Sequence, residues 1–290
     1  FTKEGEGVML MTPVYYPMYF AVSRHNRKLV ENKLVRTGDT YEIDFDDFEA
    51  KAKDPNTKLL ILCSPHNPSG RVWRREELER IGRICMDNHV LVVSDEIHFD
   101  LISPGYKHIV FASICEEFAM NSITCTAPSK TFNLAGLIGS YHIIYNDWLR
   151  DRILKESSLS HYNSMNLLSM YALIGAYKLE GYEWVDELKE VLSGNVNYAC
   201  DYIEKHFEGV NVSKPEGTYM LFLDCTEWCK KHGKTITELQ AAGIEVGVIW
   251  QDGVAFHGPC HIRMNLALPL SRVKEAFDRL DKYVFNLQEA

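Results

Sequence analysis

Three polar side chains stand where apolar runs of the sequence stop. Asn67 follows the run Lys58 to Cys63, Asp95 follows His89 to Ser94, and Lys130 follows Ser122 to Thr126. If each run is a buried strand of an open α/β sheet, these residues gather at the carboxyl ends of the strands, where such sheets bind ligands. Taken singly, each has an ordinary explanation: a turn residue before Pro68, a strand-end carboxylate, a solvated lysine. Together they ask for a common ligand. Pyridoxal phosphate needs an amine to form an imine and a carboxylate to keep its ring nitrogen protonated, so that the ring can accept electrons. Lys130 and Asp95 supply those two groups. Asn67 is the candidate donor to the ring oxygen, and Tyr15 the candidate aromatic face. A substrate carboxylate calls for a planar fork, and Arg263, in His261-Ile262-Arg263-Met264-Asn265, provides it.

The elements needed to position these residues are legible around them. Val8 to Met11 reads as a strand leading through Thr12-Pro13-Val14-Tyr15-Tyr16-Pro17 into a helix. Lys58 to Cys63, His89 to Ser94, Ser122 to Thr126 and Ser140 to Tyr145 read as further strands. Between them, Arg74 to Asn88 carries Leu78, Ile81 and Cys85 on one face at helical spacing. Strands alternating with helices predict an α/β fold with a mostly parallel sheet flanked by helices. Helical periodicity dominates residues 162 to 207. Short strands at Gly217 to Asp224, Ile244 to Trp250 and Ile262 to Leu268 then alternate with helices, the last starting at Ser271. The expected division is a large domain over residues 1–184 and a smaller α+β domain over 185–290.

The chain has 290 residues, 46% hydrophobic and 24% charged, enough for one large or two medium domains. No apolar run approaches the length of a membrane span. Its formal charge of -9, with Lys and Arg dispersed, argues against nucleic acid and favours a small-molecule substrate. Eight irregularly spaced cysteines suit a reducing cytoplasm. Cys225 and Cys229 share a helical spacing but lack a second pair at zinc spacing, so they read as thiols and no metal is expected. The opening residues, Phe1-Thr2-Lys3-Glu4-Gly5-Glu6-Gly7, do not form a signal peptide.

Five segments together resemble the fold-type I pyridoxal-phosphate enzymes of the class I/II aminotransferase superfamily, most of all its cystathionine β-lyase (C-S lyase) branch. They are Thr12 to Tyr19, Ser64 to Gly70 with its Asn-Pro-Ser-Gly, Ser94-Asp95-Glu96-Ile97-His98, Ser129-Lys130-Thr131-Phe132-Asn133-Leu134-Ala135-Gly136, and the Arg263 segment. The resemblance implies that Lys130 is the Schiff-base lysine. His98 stands where many aminotransferases have tyrosine, and Asp-Glu-Ile-His is similar to the C-S lyases. Those aminotransferases also bind phosphate through a hydroxyl three residues before the lysine and an arginine eight after it. Here these positions hold Ala127 and Ile138, so phosphate binding is expected to lean on Thr126, Ser129 and groups upstream, with His98 near the ring. The resemblance also implies a stretch of family chain ahead of Phe1, with a Gly-containing phosphate loop, and hence weak cofactor retention by these 290 residues alone.

The reaction expected on this basis is β-elimination from L-cystathionine or a related cysteine S-conjugate. Arg263 clamps the α-carboxylate, the freed Lys130 acts as base at Cα, and Tyr15 assists the departing sulfur. Tyr219 is read as a core residue. Two alternatives remain: an aminotransferase using the same Asp95, Lys130 and Arg263, and a cofactor-bearing regulatory or interaction protein. The resemblance further implies a homodimer.

Overall fold

Gly7–Thr12 (β1) is buried at all six positions and pairs in parallel on both sides, with Lys28–Lys33 (β2) and with Thr57–Cys63 (β5). A strand hydrogen-bonded on both edges needs apolar residues on both faces, and Val8-Met9-Leu10-Met11 meets that need. In the computed structural model, which describes residues 1–286, a short hairpin of Val35–Thr37 (β3) and Thr40–Glu42 (β4) follows β2. Beyond β5 the sheet continues through Leu91–Asp95 (β6) and Ser122–Thr126 (β7), both parallel, and ends on the antiparallel edge strand Tyr141–Ile143 (β8). The order is β2-β1-β5-β6-β7-β8, the mostly parallel sheet expected from the alternation of strands and helices.

Helices close both faces. On one, Met9, Met11, Leu60 and Leu62 pack with Phe48 of helix Phe45–Ala52 and with Leu78 and Ile81 of helix Arg75–Asp87. On the other, Val8 and Leu10 meet Met18, Tyr19 and Val22 of helix Tyr16–Ser23. A second core lies around a smaller antiparallel sheet, β11-β12-β10-β9, made of Gln251–Asp252 (β11), His261–Asn265 (β12), Met220–Asp224 (β10) and Asn211–Val212 (β9). There Leu221, Leu223 and Ile262 pack on Val196, Ala199 and Ile203 of the helix Leu179–His206. The boundary expected near residue 185 falls inside this continuous helix. Cys225 and Cys229 are buried in this second core.

Residues 244 to 250 differ from the sequence reading. They are not a strand: helix Ile236–Glu245 runs into this stretch, and only Gln251–Asp252 joins the sheet. A capping box between Thr235 and Glu238 starts the helix, and Trp250 then lies so close to Gly243 that a Cβ there would sit 2.4 Å from its ring. Tight packing of an aromatic ring on a helix, rather than strand pairing, accounts for this apolar run.

The two sheets are tied together by a buried arginine. Arg71 makes a double contact with Glu77 at 2.9 and 3.0 Å, reaches Glu216 at 3.0 Å, and donates to the Tyr41 carbonyl. Glu216 in turn accepts from the Val72 amide at 2.8 Å. Beside it, Gly70 lies in the left-handed region with Pro215 so near that a Cβ would approach it to 2.3 Å. Arg71→Ala leaves two carboxylates without their shared cation, and the expected loss of stability is about 3–5 kcal/mol. Urea unfolding measures it, and a variant indistinguishable from wild type would show that the clamp contributes nothing.

Candidate active site

Cys63, Asp95 and Cys125 lie side by side, in register, where β5, β6 and β7 end. The ladder continues one step beyond, Ser64 N–H donating to the Asp95 carbonyl at 2.9 Å and Glu96 N–H to the Cys125 carbonyl at 2.8 Å. The loops that leave these strands are thus neighbours from their first residue, and they carry Asn67, His98 and Lys130. Strand alternation sends adjacent side chains to opposite faces. Glu96 is fully buried and satisfied by Ser94 Oγ, His108 Nε2 and the Phe111 amide at 2.9, 2.7 and 3.1 Å. Asp95 lines a cavity of about 760 Å³ that also exposes Tyr15, Asn67, His98, Ser129, Lys130 and Arg263.

Each of these side chains is held by its local structure. Lys130 sits on the one-turn helix Pro128–Thr131, entered through Ala127 with proline in its first turn. The turn is pinned by the next residue, since Thr131 Oγ1 donates to Asp100 Oδ2 at 2.9 Å. Asn67 is buried in a loop braced by His66, whose ring contacts Ser69 Oγ at 2.7 Å and the Met11 carbonyl at 3.1 Å. Burial pushes the His66 pKa down to about 4, so this ring braces the loop as a neutral group. Arg263 comes from the other sheet. Its Nη1 donates to Asn67 Oδ1 at 2.9 Å, Nη2 donates to Gln251 Oε1, and the guanidinium lies 4.8 Å from the centre of the Phe256 ring.

Burial shapes the protonation of the site. It raises the Asp95 pKa to about 6, opposed by a hydrogen bond from the Ile97 amide and by the charge of Lys130. His98 is 2% exposed, and burial together with the charges of Lys130 and Arg263 pushes it down to about 3. It is neutral at pH 7, edge-on to Tyr219 at 5.9 Å, and its Nδ1 is buried with no hydrogen-bond partner. The phenols of Tyr15 and Tyr219 are raised, mainly by desolvation, and so stay protonated.

Not every expected residue reaches the cavity. Thr126 does not line it: by alternation from Cys125, its side chain points to the sheet's other face, where its hydroxyl is buried without a partner. Ala127, Ile138 and Ser129 do line it. Tyr219, read as core, lines it as well. The wall opposite the strand ends comes from residues 138–165, including Ser140, Tyr141, His142, Arg150 and Tyr162, none of which belonged to a recognised motif. The signal missed for Tyr219 was its position one residue before β10, a strand whose partner β12 carries Arg263.

The residues present fit pyridoxal phosphate. A buried carboxyl with an elevated pKa suits a cationic ring nitrogen, which would restore its charge. Asn67 spends its oxygen on Arg263 and keeps its amide N–H groups to donate, and the unpaired Nδ1 of His98 adds a polar atom in the same cavity. Because the folded pKa of Asp95 lies above the ordinary aspartate value of 3.8, the group costs stability once ionised. Its contribution is most favourable below about pH 4 and is lost as pH rises through about 6. In protein free of small molecules, Asp95→Asn is therefore expected to gain about 2–3 kcal/mol over wild type at pH 7 and nothing at pH 3. Denaturant curves across this range test it, and parallel pH profiles for the two proteins would refute it.

Comparison with known proteins agrees with this geometry. Residues 1–280 match the family described as aminotransferase class I and II. The cystathionine beta-lyase PatB of Bacillus subtilis is 37% identical over 283 residues, covering 97% of this chain and 72% of PatB. The structure of cystalysin from Treponema denticola, which contains a pyridoxal 5'-phosphate cofactor, superposes with a TM-score of 0.92 at 38% identity, covering 99% of this chain and 73% of that one. The C-S lyase from Staphylococcus hominis, solved with pyridoxal phosphate bound, gives 0.90 at 32% identity, with 100% and 74% covered. With the family match running over residues 1–280 and likenesses of this extent, this chain belongs to the class I and II aminotransferase family of pyridoxal-phosphate-dependent enzymes.

Proposed function

We propose that this enzyme is a carbon–sulfur lyase that eliminates the β-thiolate of L-cystathionine or a related L-cysteine S-conjugate, giving a thiol, pyruvate and ammonia. The observation that carries the reading is the convergence of Lys130, Asp95, Asn67 and Arg263 on one cavity, in a chain 37% identical to a cystathionine β-lyase. Pyridoxal phosphate, when bound, supplies an electrophilic carbon for the substrate amine and a cationic ring that draws electrons from Cα.

The chain's own residues do the rest. Asp95 would hold the ring nitrogen in its cationic form, Asn67 would donate to the ring oxygen, and Ser129 would contact the phosphate. Neutral His98 and the face of Tyr15 would keep the ring in place. Arg263 would take the α-carboxylate with its fork and so fix the orientation of the substrate's Cα. Lys130 would anchor the cofactor through its amine, and the same Nζ would serve as the base that takes the Cα proton. Tyr15, whose phenol burial raises further above its ordinary value, would donate a proton to the departing sulfur. Thr126 has no direct part in this assignment, since it does not reach the cavity.

A homodimer completes the proposal. Trp148, Leu154, Leu159, Leu167, Leu168 and Tyr171, on helices Asp147–Leu159 and Leu167–Ala176, are all exposed. Exposed apolar side chains in this number suit a docking surface, and Leu154 also lines the cavity, so a second copy seated there would wall the site. A cytoplasmic location suits eight cysteines that form no disulfide among the described residues.

Incubated with cystathionine and no keto acid, the loaded enzyme is expected to release pyruvate over many turnovers. Lys130→Ala should lower the rate about 100-fold or more. A single turnover that stalls until a keto acid is added would instead identify an aminotransferase. In sedimentation, the wild-type chain should run as a dimer and Leu154→Glu should shift it toward monomer; a wild-type monomer at micromolar concentration would remove the dimer.

A further inference from the structure

Two arginines stand near the junction of the sheets, Arg71 buried and Arg263 half-buried, and they are satisfied in opposite ways. Arg71 is surrounded by the carboxylates of Glu77 and Glu216, so its charge is cancelled. Arg263 meets none among the described residues. Its two terminal nitrogens donate to Asn67 Oδ1 and Gln251 Oε1, and the Phe256 ring lies beneath it. The titratable neighbours that influence it are the phenols of Tyr15, Tyr16 and Tyr219. Gln251 owes its position to pairing: in β11 it stands directly opposite Arg263 of β12.

This arrangement answers a conflict. A long arginine side chain needs acceptors to hold its fork in one orientation, yet a carboxylate acceptor would compete with an anionic substrate for its charge. Two side-chain amide oxygens orient the fork and leave its full positive charge available. One of them, Asn67, also faces the cofactor in the reading above. The other has no other partner among the described residues. We propose that Gln251 is a positioning residue for substrate recognition: its neutral oxygen sets the orientation of Arg263 and preserves its charge for the α-carboxylate. The inference rests on the reading of Arg263 as the carboxylate clamp.

Gln251→Glu keeps the shape and replaces the neutral acceptor with an anion. Steady-state kinetics of the cofactor-loaded enzyme with S-methyl-L-cysteine should show KM raised about tenfold or more, with kcat within about twofold, the signature of binding lost equally in ground and transition states. Gln251→Met, which keeps the length and removes the acceptor, should raise KM less than Gln251→Glu does. As a readout apart from turnover, the affinity for 2-(methylthio)ethylamine, which lacks the carboxylate, is followed by spectral titration and should not change in either variant. Equal losses for the acid and the amine would mean general distortion of the site and would overturn the proposal, as would an unchanged KM in Gln251→Glu. Arg263→Lys separates the two layers of the argument. If it raises KM for S-methyl-L-cysteine while Gln251→Glu does not, only the role of Gln251 fails. If Arg263→Lys leaves KM unchanged, the carboxylate clamp itself is misassigned.

Discussion

A carboxyl group buried at the end of a central parallel strand is a poor place for a charge unless a cation stands beside it, and Asp95 is such a group. Much of the surrounding architecture follows from placing it there. Its neighbours across the sheet, Cys63 and Cys125, are small and uncharged, so they neither crowd a planar ring nor compete for its nitrogen. The next carboxylate, Glu96, is turned to the opposite face and saturated by three donors, which keeps it from sharing the cation. The amine of Lys130 reaches the cavity from a one-turn helix held by Asp100, an acid on the same loop that Asp95 begins. One strand end thus sets the positions of the acid, the histidine and, through Thr131, the lysine.

The second sheet is coupled to the first by few but well-satisfied contacts. Arg71 joins the loop after β5 to Glu216, Gly70 packs on Pro215, and the Gly70 carbonyl accepts from the amides of Glu216 and Gly217. The same loop holds Asn67, which meets Arg263. A displacement of the small sheet would therefore be felt first at the asparagine and the arginine, the residues proposed to face the cofactor and the substrate. The junction lies beside the chemistry, so the stability of the clamp and the geometry of substrate binding are linked.

Much of this was legible in the sequence because buried parallel strands write themselves as apolar runs, and polar residues just past three such runs gather at one edge of the sheet, where together they ask for a ligand although each alone has an ordinary explanation. Asn67, Asp95 and Lys130 were recognisable on that ground, and Arg263 by the shape of its side chain. The alternation rule, applied to Cys125, would also have shown that Thr126 faces away from Asp95. Other features carry no local sign. Residues 138–165 wall the cavity through irregular backbone and exposed helices, with no period to betray which side chains turn inward. Gln251 is placed by strand pairing with Arg263 across a loop, a relation invisible until the register is known. The apolar stretch ending in Trp250 misled because packing on a helical glycine and pairing in a sheet demand the same residue types.

The charges of the site, taken together, narrow what it can hold. His98 and His66 are neutral and the phenols of Tyr15 and Tyr219 are protonated, all for the same reason, desolvation. Among the residues that line the cavity, those of formal charge are Asp95, Lys130, Arg150 and Arg263. A ligand with one buried cationic atom and peripheral anionic groups balances that set, the cation meeting Asp95 and the anions meeting the positive side of the cavity. A pyridinium ring with a phosphate has this distribution. A wholly cationic ligand would leave Arg263, and a wholly anionic one Asp95, without an opposite charge in the cavity, so the electrostatics suit the cofactor.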